Sequence, residues 1–123
     1  MRALASMEVV YALISRGTNV LAEYTRRSGN FEQVTRLILR KVEDGVESGE
    51  HVAQIKYDAF TFHYKIVDAI TYMCMTDESA RTRLPMCFLD DICQTFREKY
   101  GVDEPNRAVA YQYNHDFAPI LRQ

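Results

Sequence analysis

Residues 8–15, EVVYALIS, decide the fold of this chain. They form a short, nearly unbroken apolar run that is rich in residues with a preference for β-strands. A strand with one buried face alternates polar and apolar side chains, whereas a strand buried on both faces does not. The run therefore predicts a strand in the interior of a sheet, with other elements packed on each side of it.

The next segment is predicted to return along this strand. Arg16-Gly17-Thr18 supplies a turn, and the residues after it alternate between two faces as in a strand. One face carries Val20, Ala22 and Tyr24, and the other carries Leu21 and Glu23. The two strands are therefore predicted to form an antiparallel hairpin.

A helix is predicted from Asn30 to about Val42, because Asn30 and Gln33 have the spacing of a capping box. At about 100° per residue its apolar side chains cover an arc of roughly 200°, wider than the stripe of roughly 100° that one sheet would bury. Either a loop of the same domain covers the extra flank, or the flank is left for another molecule. The arc contains Leu37, Val34, Ile38, Phe31, Val42 and Leu39, and the polar face contains Glu32, Gln33, Arg36 and Arg40.

Three strands are predicted after this helix. Residues 43–50 hold two glycines, four acids and a serine, which is typical of an exposed connection. The strands are then expected at residues 52–57, 60–67 and 70–75, where apolar and polar side chains alternate or apolar ones dominate. Asp68-Ala69 forms a two-residue turn between the last two.

Two helices are predicted to complete the chain. Within residues 79–99 apolar positions recur every three or four residues, Pro85 favours a start near Leu84, and Gly101 favours a stop. Residues 102–108 look like a loop, and Asn114 or Asp116 is the expected cap of a short last helix. The order strand, strand, helix, three strands, helix, helix predicts an α+β fold with a five-stranded, mainly antiparallel sheet and helices on both faces.

Length and composition favour a single, protein-binding domain. A chain of 123 residues has room for one core, and 15 basic against 17 acidic residues give no field that would attract nucleic acid or an anionic membrane. Cys74, Cys87 and Cys93 lie in apolar segments without CxxC spacing, which favours reduced thiols in a cytosolic protein. Neither a signal peptide nor an apolar stretch of membrane-spanning length is present in this sequence.

The sequence offers little support for catalysis. Cys74 and His63 are expected to face each other across the hairpin closed by Asp68-Ala69, but a third orienting group is not evident, so the pair is interpreted as ordinary core or edge filling. His51, His63 and His115 lack the short spacing of a metal site, and no glycine-rich phosphate cradle occurs. We therefore expect no enzymatic activity, no metal and no cofactor.

Five short stretches, in order, resemble one family, the longin-type R-SNAREs of the tetanus-insensitive vesicle-associated membrane protein type. The likeness covers residue 8 to the end of the chain. It is carried by Ser15-Arg16-Gly17-Thr18 with Leu21-Ala22-Glu23, by Gly29-Asn30-Phe31, by Thr61-Phe62-His63-Tyr64 with Asp68, by Leu84-Pro85-Met86-Cys87-Phe88-Leu89 with Phe96 and Tyr100-Gly101, and by Asn114 and Phe117.

The resemblance implies a profilin-like longin domain over residues 8–123, with one helix on one sheet face and two on the other. Residues 1–7 have no counterpart and are expected to be a flexible leader. A SNARE motif and a membrane anchor are expected downstream of Gln123. The anchored protein would then work on the cytosolic face of vesicle, endosomal, lysosomal or plasma membranes.

The resemblance also implies a groove between the first helix and the third strand. In the family this groove can hold the protein's own SNARE motif, which closes the protein, or instead a segment of a sorting adaptor or trafficking regulator. Cognate Q-SNAREs would bind only through the missing SNARE motif, and the domain itself would not touch the membrane. The residues expected to line the groove are Val34, Leu37, Ile38, Lys41, Ile55 and Tyr57.

A longin-like subunit of a tethering or adaptor complex is the alternative function. Such a subunit would be permanently assembled and would have no SNARE motif. Heptad apolar layers with a central arginine downstream of Gln123 would separate the two.

Overall fold

A computed structural model describes residues 9–26, 31–47, 51–57, 59–77 and 83–122 of the chain. The leader predicted at residues 1–7 and the predicted cap Asn30 lie outside these ranges. The strands are β1 Val9–Arg16, β2 Asn19–Thr25, β3 Val52–Tyr57, β4 Phe60–Val67 and β5 Ile70–Asp77. The helices are α1 Phe31–Glu47, α2 Arg83–Tyr100, a short 3-10 helix Glu104–Arg107 and α3 Asn114–Leu121.

The five strands form one antiparallel sheet in the order β2-β1-β5-β4-β3. β1 lies between β2 and β5, and every side chain from Val9 to Ser15 is buried. This confirms the prediction of an interior strand from its apolar run. β2 and β3 are the two edge strands, and the difference between them positions the candidate site.

Tight turns set the register of the two hairpins. Gly17 has φ +60° in the β1–β2 turn, a conformation that glycine adopts without strain. Asp68 and Ala69 have φ 51° and 68°, and positive φ at both central residues is the signature of the two-residue hairpin turn predicted there. The turn pairs Val67 with Ile70 and continues the register to Phe60 opposite Asp77.

Helices cover the two faces of the sheet unequally. On one face α2 and α3 pack through Leu89, Phe96 and Phe117, and the Phe96 ring makes edge-on contacts with Tyr72, Tyr100, Tyr113 and Phe117. On the other face α1 packs alone through its own buried apolar residues, Val34, Ile38, Leu39 and Val42. The predicted arrangement of one helix against two is confirmed.

Two boundaries differ from the sequence-based prediction. α1 continues to Glu47, so the first five residues of the predicted loop 43–50 are helical. Glu43 and Asp44 are exposed, and an exposed acidic helical turn has the same composition as a loop; Gly45 is tolerated there although it costs about 1 kcal/mol relative to alanine. β5 runs two residues further than predicted, because Thr76 and Asp77 still pair with β4.

The last helix also begins differently. Its N-cap is Tyr113, which makes no side-chain capping bond, and α3 starts at Asn114. The predicted caps Asn114 and Asp116 therefore lie within the first turn of the helix. The Asn114 side chain instead accepts a hydrogen bond from the Glu23 backbone N–H of β2, at 2.9 Å. None of the helices in the described ranges combines the length and apolar character needed to cross a membrane.

Candidate partner-binding surface

α1 divides the apolar arc predicted from its sequence into a buried part and an exposed flank. Val34 and Ile38 are 5% and 3% exposed and belong to the core beneath the helix. Leu37 is 56% exposed, although it lies in the middle of the helix. The sheet therefore covers only part of the arc, and no described segment of the chain covers Leu37.

The direction in which the exposed flank of α1 faces can be inferred from the residues on the other flank of the helix. Arg36 and Arg40 line a cavity together with Asn19 and Val20 of β2. Leu37 and Lys41 lie about 100° and 140° around the helix from Arg36. They therefore point away from β2, toward the side of the sheet that ends in β3.

Alternate residues of edge strand β3 lie on the face of the sheet that α1 covers. Its register with β4 places Ala53, Ile55 and Tyr57 opposite Tyr64, Phe62 and Phe60, which belong to the core under α1. Ile55 is half-buried and packs against that core. Tyr57, at the end of the strand, is 41% exposed.

The six residues predicted to line the groove thus all lie on the α1 side of the sheet, but they differ in burial. Val34 and Ile38 are core residues, and Ile55 packs beside them. Leu37, Lys41 and Tyr57 are exposed. We define the α1–β3 surface as the four residues that solvent reaches, Leu37, Lys41, Ile55 and Tyr57.

The opposite edge of the sheet is covered by the chain itself, which the local sequence pattern did not predict. The Tyr111 and Tyr113 backbone N–H groups donate to the Val20 and Leu21 carbonyls of β2, at 2.7 and 3.1 Å. Arg16 Nη1 donates to the carbonyls of Pro105 and Ala108, each at 2.8 Å, and holds the preceding loop in place. Nothing in the composition of residues 102–113 distinguishes a free loop from one bound to a strand.

The structure confirms that His63 and Cys74 face each other across the β4–β5 hairpin, and their surroundings oppose catalysis. Burial raises the pKa of the Cys74 thiol far above its usual range and lowers the pKa of the His63 imidazole. His63 would have to act as the base for the thiol. Its Nε2 lies 3.1 Å from the Thr76 hydroxyl, a neutral group that does not replace the carboxylate of a catalytic triad. A protonated thiol is a poor nucleophile, so the pair is core packing.

The described residues contain no group of three or more His, Cys, Asp and Glu side chains that could hold a metal ion.

Two ion pairs join α2 to the sheet. Lys65 and Asp90 form an ion pair between β4 and α2, at 2.6 Å, and Arg97 of α2 pairs with Asp68 of the hairpin turn at 2.8 Å. Both pairs are partly exposed and join structural elements, so we assign them a packing role.

Comparison with known proteins adds a family to this geometry. Residues 21–121 match the model of the Longin family, described as a regulated-SNARE-like domain. The chain is 40% identical to vesicle-associated membrane protein 7B of Dictyostelium discoideum over 115 residues. This alignment covers 94% of this chain and 42% of that protein. It is 39% identical over 117 residues to vesicle-associated membrane protein 711 of Arabidopsis thaliana, covering 95% of this chain and 52% of that protein.

Vesicle-associated membrane protein 712 of the same plant is 40% identical over 117 residues, again with 95% of this chain and 52% of the relative covered. The chain thus spans about half the length of the curated relatives it matches.

Proposed function

The chain belongs to the Longin family of regulated-SNARE-like domains, and we propose that it is the regulatory domain of an R-SNARE whose α1–β3 surface binds the protein's own SNARE motif or a sorting adaptor. The names of the relatives associate them with vesicles and membranes. The proposed place of action is therefore the cytosolic face of a vesicle or target membrane. Its role there is to control fusion, not to catalyse a reaction.

The exposure of Leu37 carries this proposal. Removing a leucine side chain from water is favourable by roughly 1.5–3 kcal/mol, so an exposed leucine beside other apolar side chains can contribute to the binding of a partner. Leu37 is 56% exposed, and Tyr57 on the same side of the sheet is 41% exposed. Ile55, on the same side of the sheet, is half-buried and connects these exposed side chains to the core. Such a surface suits an amphipathic helix or an extended peptide with regularly spaced apolar side chains.

A SNARE motif supplies that pattern, because it is an amphipathic heptad repeat that is free until it joins a fusion complex. If the motif lies on the α1–β3 surface, it is withheld from Q-SNARE partners. A sorting adaptor that needs the same surface would displace it by mass action. Fusion competence and sorting would then be coupled, since the two occupants exclude each other.

The test is a binding titration with a labelled peptide that covers the SNARE motif expected downstream of Gln123. Leu37→Ser should weaken binding by about tenfold, because a truncated apolar anchor costs more than about 1 kcal/mol of binding free energy. Val109→Ser is the matched control, because Val109 is a similarly exposed aliphatic residue, 67%, outside the surface.

Equal affinities of the Leu37→Ser variant and the unaltered chain would exclude this surface as the binding site. Ile55 is a less suitable position for this test, because its half-buried side chain also packs in the core. A loss of binding there would not separate a lost contact from a weakened fold.

A further inference from the structure

The last helix ends at one end of the sheet, beside edge strand β2. α3 stops at Leu121, and the carbonyl of Arg122 accepts a hydrogen bond from Arg26 Nη2 at 2.8 Å. Arg26 directly follows β2, and its N–H donates to the Val10 carbonyl of β1 at 2.9 Å. A segment that continues from residue 122 therefore leaves the domain where β2 stops and β1 begins. We call this place the exit end of the sheet.

The register of the sheet places the Tyr57 end of β3 at the exit end. Tyr57 pairs with Phe60 of β4, and Phe60 pairs with Asp77 of β5. Asp77 follows Thr76, which pairs with Val9 at the start of β1. From β2 to β3 there are four strand spacings of about 4.8 Å each, so Tyr57 lies roughly 19 Å across the sheet from the point where the chain leaves.

The other end of β3 is further away. Because neighbouring strands are antiparallel, β2 and β3 run in the same direction, and Val52 lies at the end of the sheet where β2 starts. The six residues of β3 span roughly 17 Å from Val52 to Tyr57. A segment that arrives from the exit end therefore reaches Tyr57 before it reaches Val52.

α1 runs away from the exit end as well. In its second half, Glu43 Oε2 lies 3.1 Å from the position that a Cβ would take at Gly17, in the turn between β1 and β2. That turn and Arg26 are at opposite ends of β2. For a segment that arrives from the exit end, Leu37 therefore comes before Lys41 along the helix.

We propose that the SNARE motif expected downstream occupies the α1–β3 surface in one direction: it enters at Tyr57 and runs toward Val52, antiparallel to β3 and parallel to α1. This inference rests on the proposed function, because it takes the protein's own motif as the occupant. About half of each curated relative lies outside the part that matches this chain, which is ample length for such a path. The reverse direction requires the segment to travel roughly 17 Å further before it turns back.

The same distance sets a minimum length for the connection. An extended chain spans at most about 3.3–3.6 Å per residue, so about six residues or more must separate residue 122 from the first motif residue that contacts Tyr57. A short flexible tether also holds the motif at an effective concentration of about millimolar, so a weak contact is enough to close the protein. A sorting adaptor in solution lacks this tether and has to displace the motif through its own affinity.

Double electron–electron resonance of the full-length protein in lipid nanodiscs tests the direction. One spin label is attached to the first turn of the motif and the other to Lys56→Cys or Val52→Cys, two exposed positions on one face of β3 about 14 Å apart. Cys87→Ser removes the exposed native thiol, whereas Cys74 and Cys93 are buried. The distances should be narrowly distributed and shorter to position 56 than to position 52. Moving the motif label by two heptads, about 21 Å in a helix, should reverse this order.

Leu37→Ser in the same labelled protein separates this inference from the proposed function. The substitution should broaden every distance distribution, because the motif loses an apolar contact on the surface. Narrow distributions that Leu37→Ser broadens, but with the opposite order of distances, would overturn the direction and leave the proposed function in place. Distributions that are broad from the start, and that Leu37→Ser does not change, would contradict both.

The length of the connection provides the second test. Deleting residues after Gln123 until fewer than about six remain before the motif should broaden the distributions as Leu37→Ser does. A glycine-serine segment of the original length is the control and should keep them narrow. A narrow distribution after the deletion would overturn the proposed path across the exit end.

Discussion

The two edge strands of the sheet, β2 and β3, are both short and amphipathic, but the chain covers only one of them. Along β2, the Val20 and Leu21 carbonyls and the Glu23 N–H are bonded to residues 111–114, so this edge is covered by the chain. β3 pairs with β4 only, and no backbone hydrogen bond within the described ranges reaches its outer side. An uncovered edge can bind another chain, which supports the proposal that a partner binds beside β3.

The flanks of α1 repeat this contrast. The flank beside β2 carries exposed Arg36 and Arg40, which line an open cavity together with the covering loop. The flank toward β3 carries exposed Leu37, whose apolar side chain suits a peptide or helix. The helix thus presents two arginines toward the closed edge, and a leucine with a single lysine toward the open edge.

The largest expected effect comes from a core ring that packs against Tyr113, in the segment that covers β2. Phe96→Ala takes away a fully buried ring that contacts Tyr72 of the sheet and Phe117 of α3. The free energy of unfolding should fall by about 3–5 kcal/mol in urea denaturation, because the substitution leaves a large cavity. Phe60→Ala, at a half-buried phenylalanine of β4 near the open edge, should cost less. A larger loss for Phe60→Ala would reverse the contrast between the two edges.

A smaller loss is expected from Asn114→Ala. The substitution removes the oxygen that accepts the Glu23 N–H and leaves this donor without its partner. The free energy of unfolding should fall by about 1–3 kcal/mol, and hydrogen exchange at the Glu23 amide should accelerate. Asn106→Ala removes a more exposed bond to the Val102 carbonyl and serves as the control. Unchanged exchange at Glu23 would show that Asn114 does not protect the β2 edge.

Acid should destabilise the folded chain through His63, a buried residue of β4 whose neighbour on β3 is Gln54. Burial lowers the pKa of folded His63, whereas the unfolded imidazole has a pKa of about 6.5. Below that value the unfolded chain binds a proton that the folded chain does not, so stability falls as pH drops. Urea denaturation should show that the free energy of unfolding falls between pH 7.5 and 5.5 in the unaltered chain but not in His63→Gln. The control is His51→Gln, in which an exposed histidine is changed and the fall should remain.

The smallest effect on stability is expected at the open edge itself. Tyr57→Ser should change the free energy of unfolding by less than about 0.5 kcal/mol, because the side chain is 41% exposed. The same variant should weaken binding of the SNARE-motif peptide. Tyr111→Ser is the matched control, since Tyr111 is equally exposed, 42%, but lies at the covered edge. A comparable loss of peptide binding in both variants would argue against a site confined to β3.

Local patterns predicted much of the fold. The alternation within β3 and β4 gave both strands their observed bounds, and the apolar run of β1 predicted its interior position. The end of α1 was missed because Glu43 and Asp44 look alike in a loop and in an exposed helical turn. The cover of β2 was missed because its bonds join residues about ninety positions apart, such as Glu23 and Asn114, and no local pattern encodes them.

The candidate site was predictable only in part, for a related reason. Helical periodicity shows which side chains of α1 are apolar, but not how much sheet lies beneath them. Val34 and Ile38 are therefore core residues, whereas Leu37 is exposed, although all three belong to one predicted arc. Arg36 and Arg40 belong to the polar face predicted from the sequence, and only the packing of the loop at Tyr111 makes them part of the lining of a cavity.

The most direct test of the account is an NMR titration of the ¹⁵N-labelled chain with the SNARE-motif peptide. We predict amide shifts that cluster at Leu37, Lys41, Ile55 and Tyr57, with little change at Val109 and Tyr111. The first four residues form the α1–β3 surface, and the last two lie in the segment that covers the β2 edge. Shifts centred on the β2 edge, or no shifts at saturating peptide, would contradict a regulatory surface at the open edge.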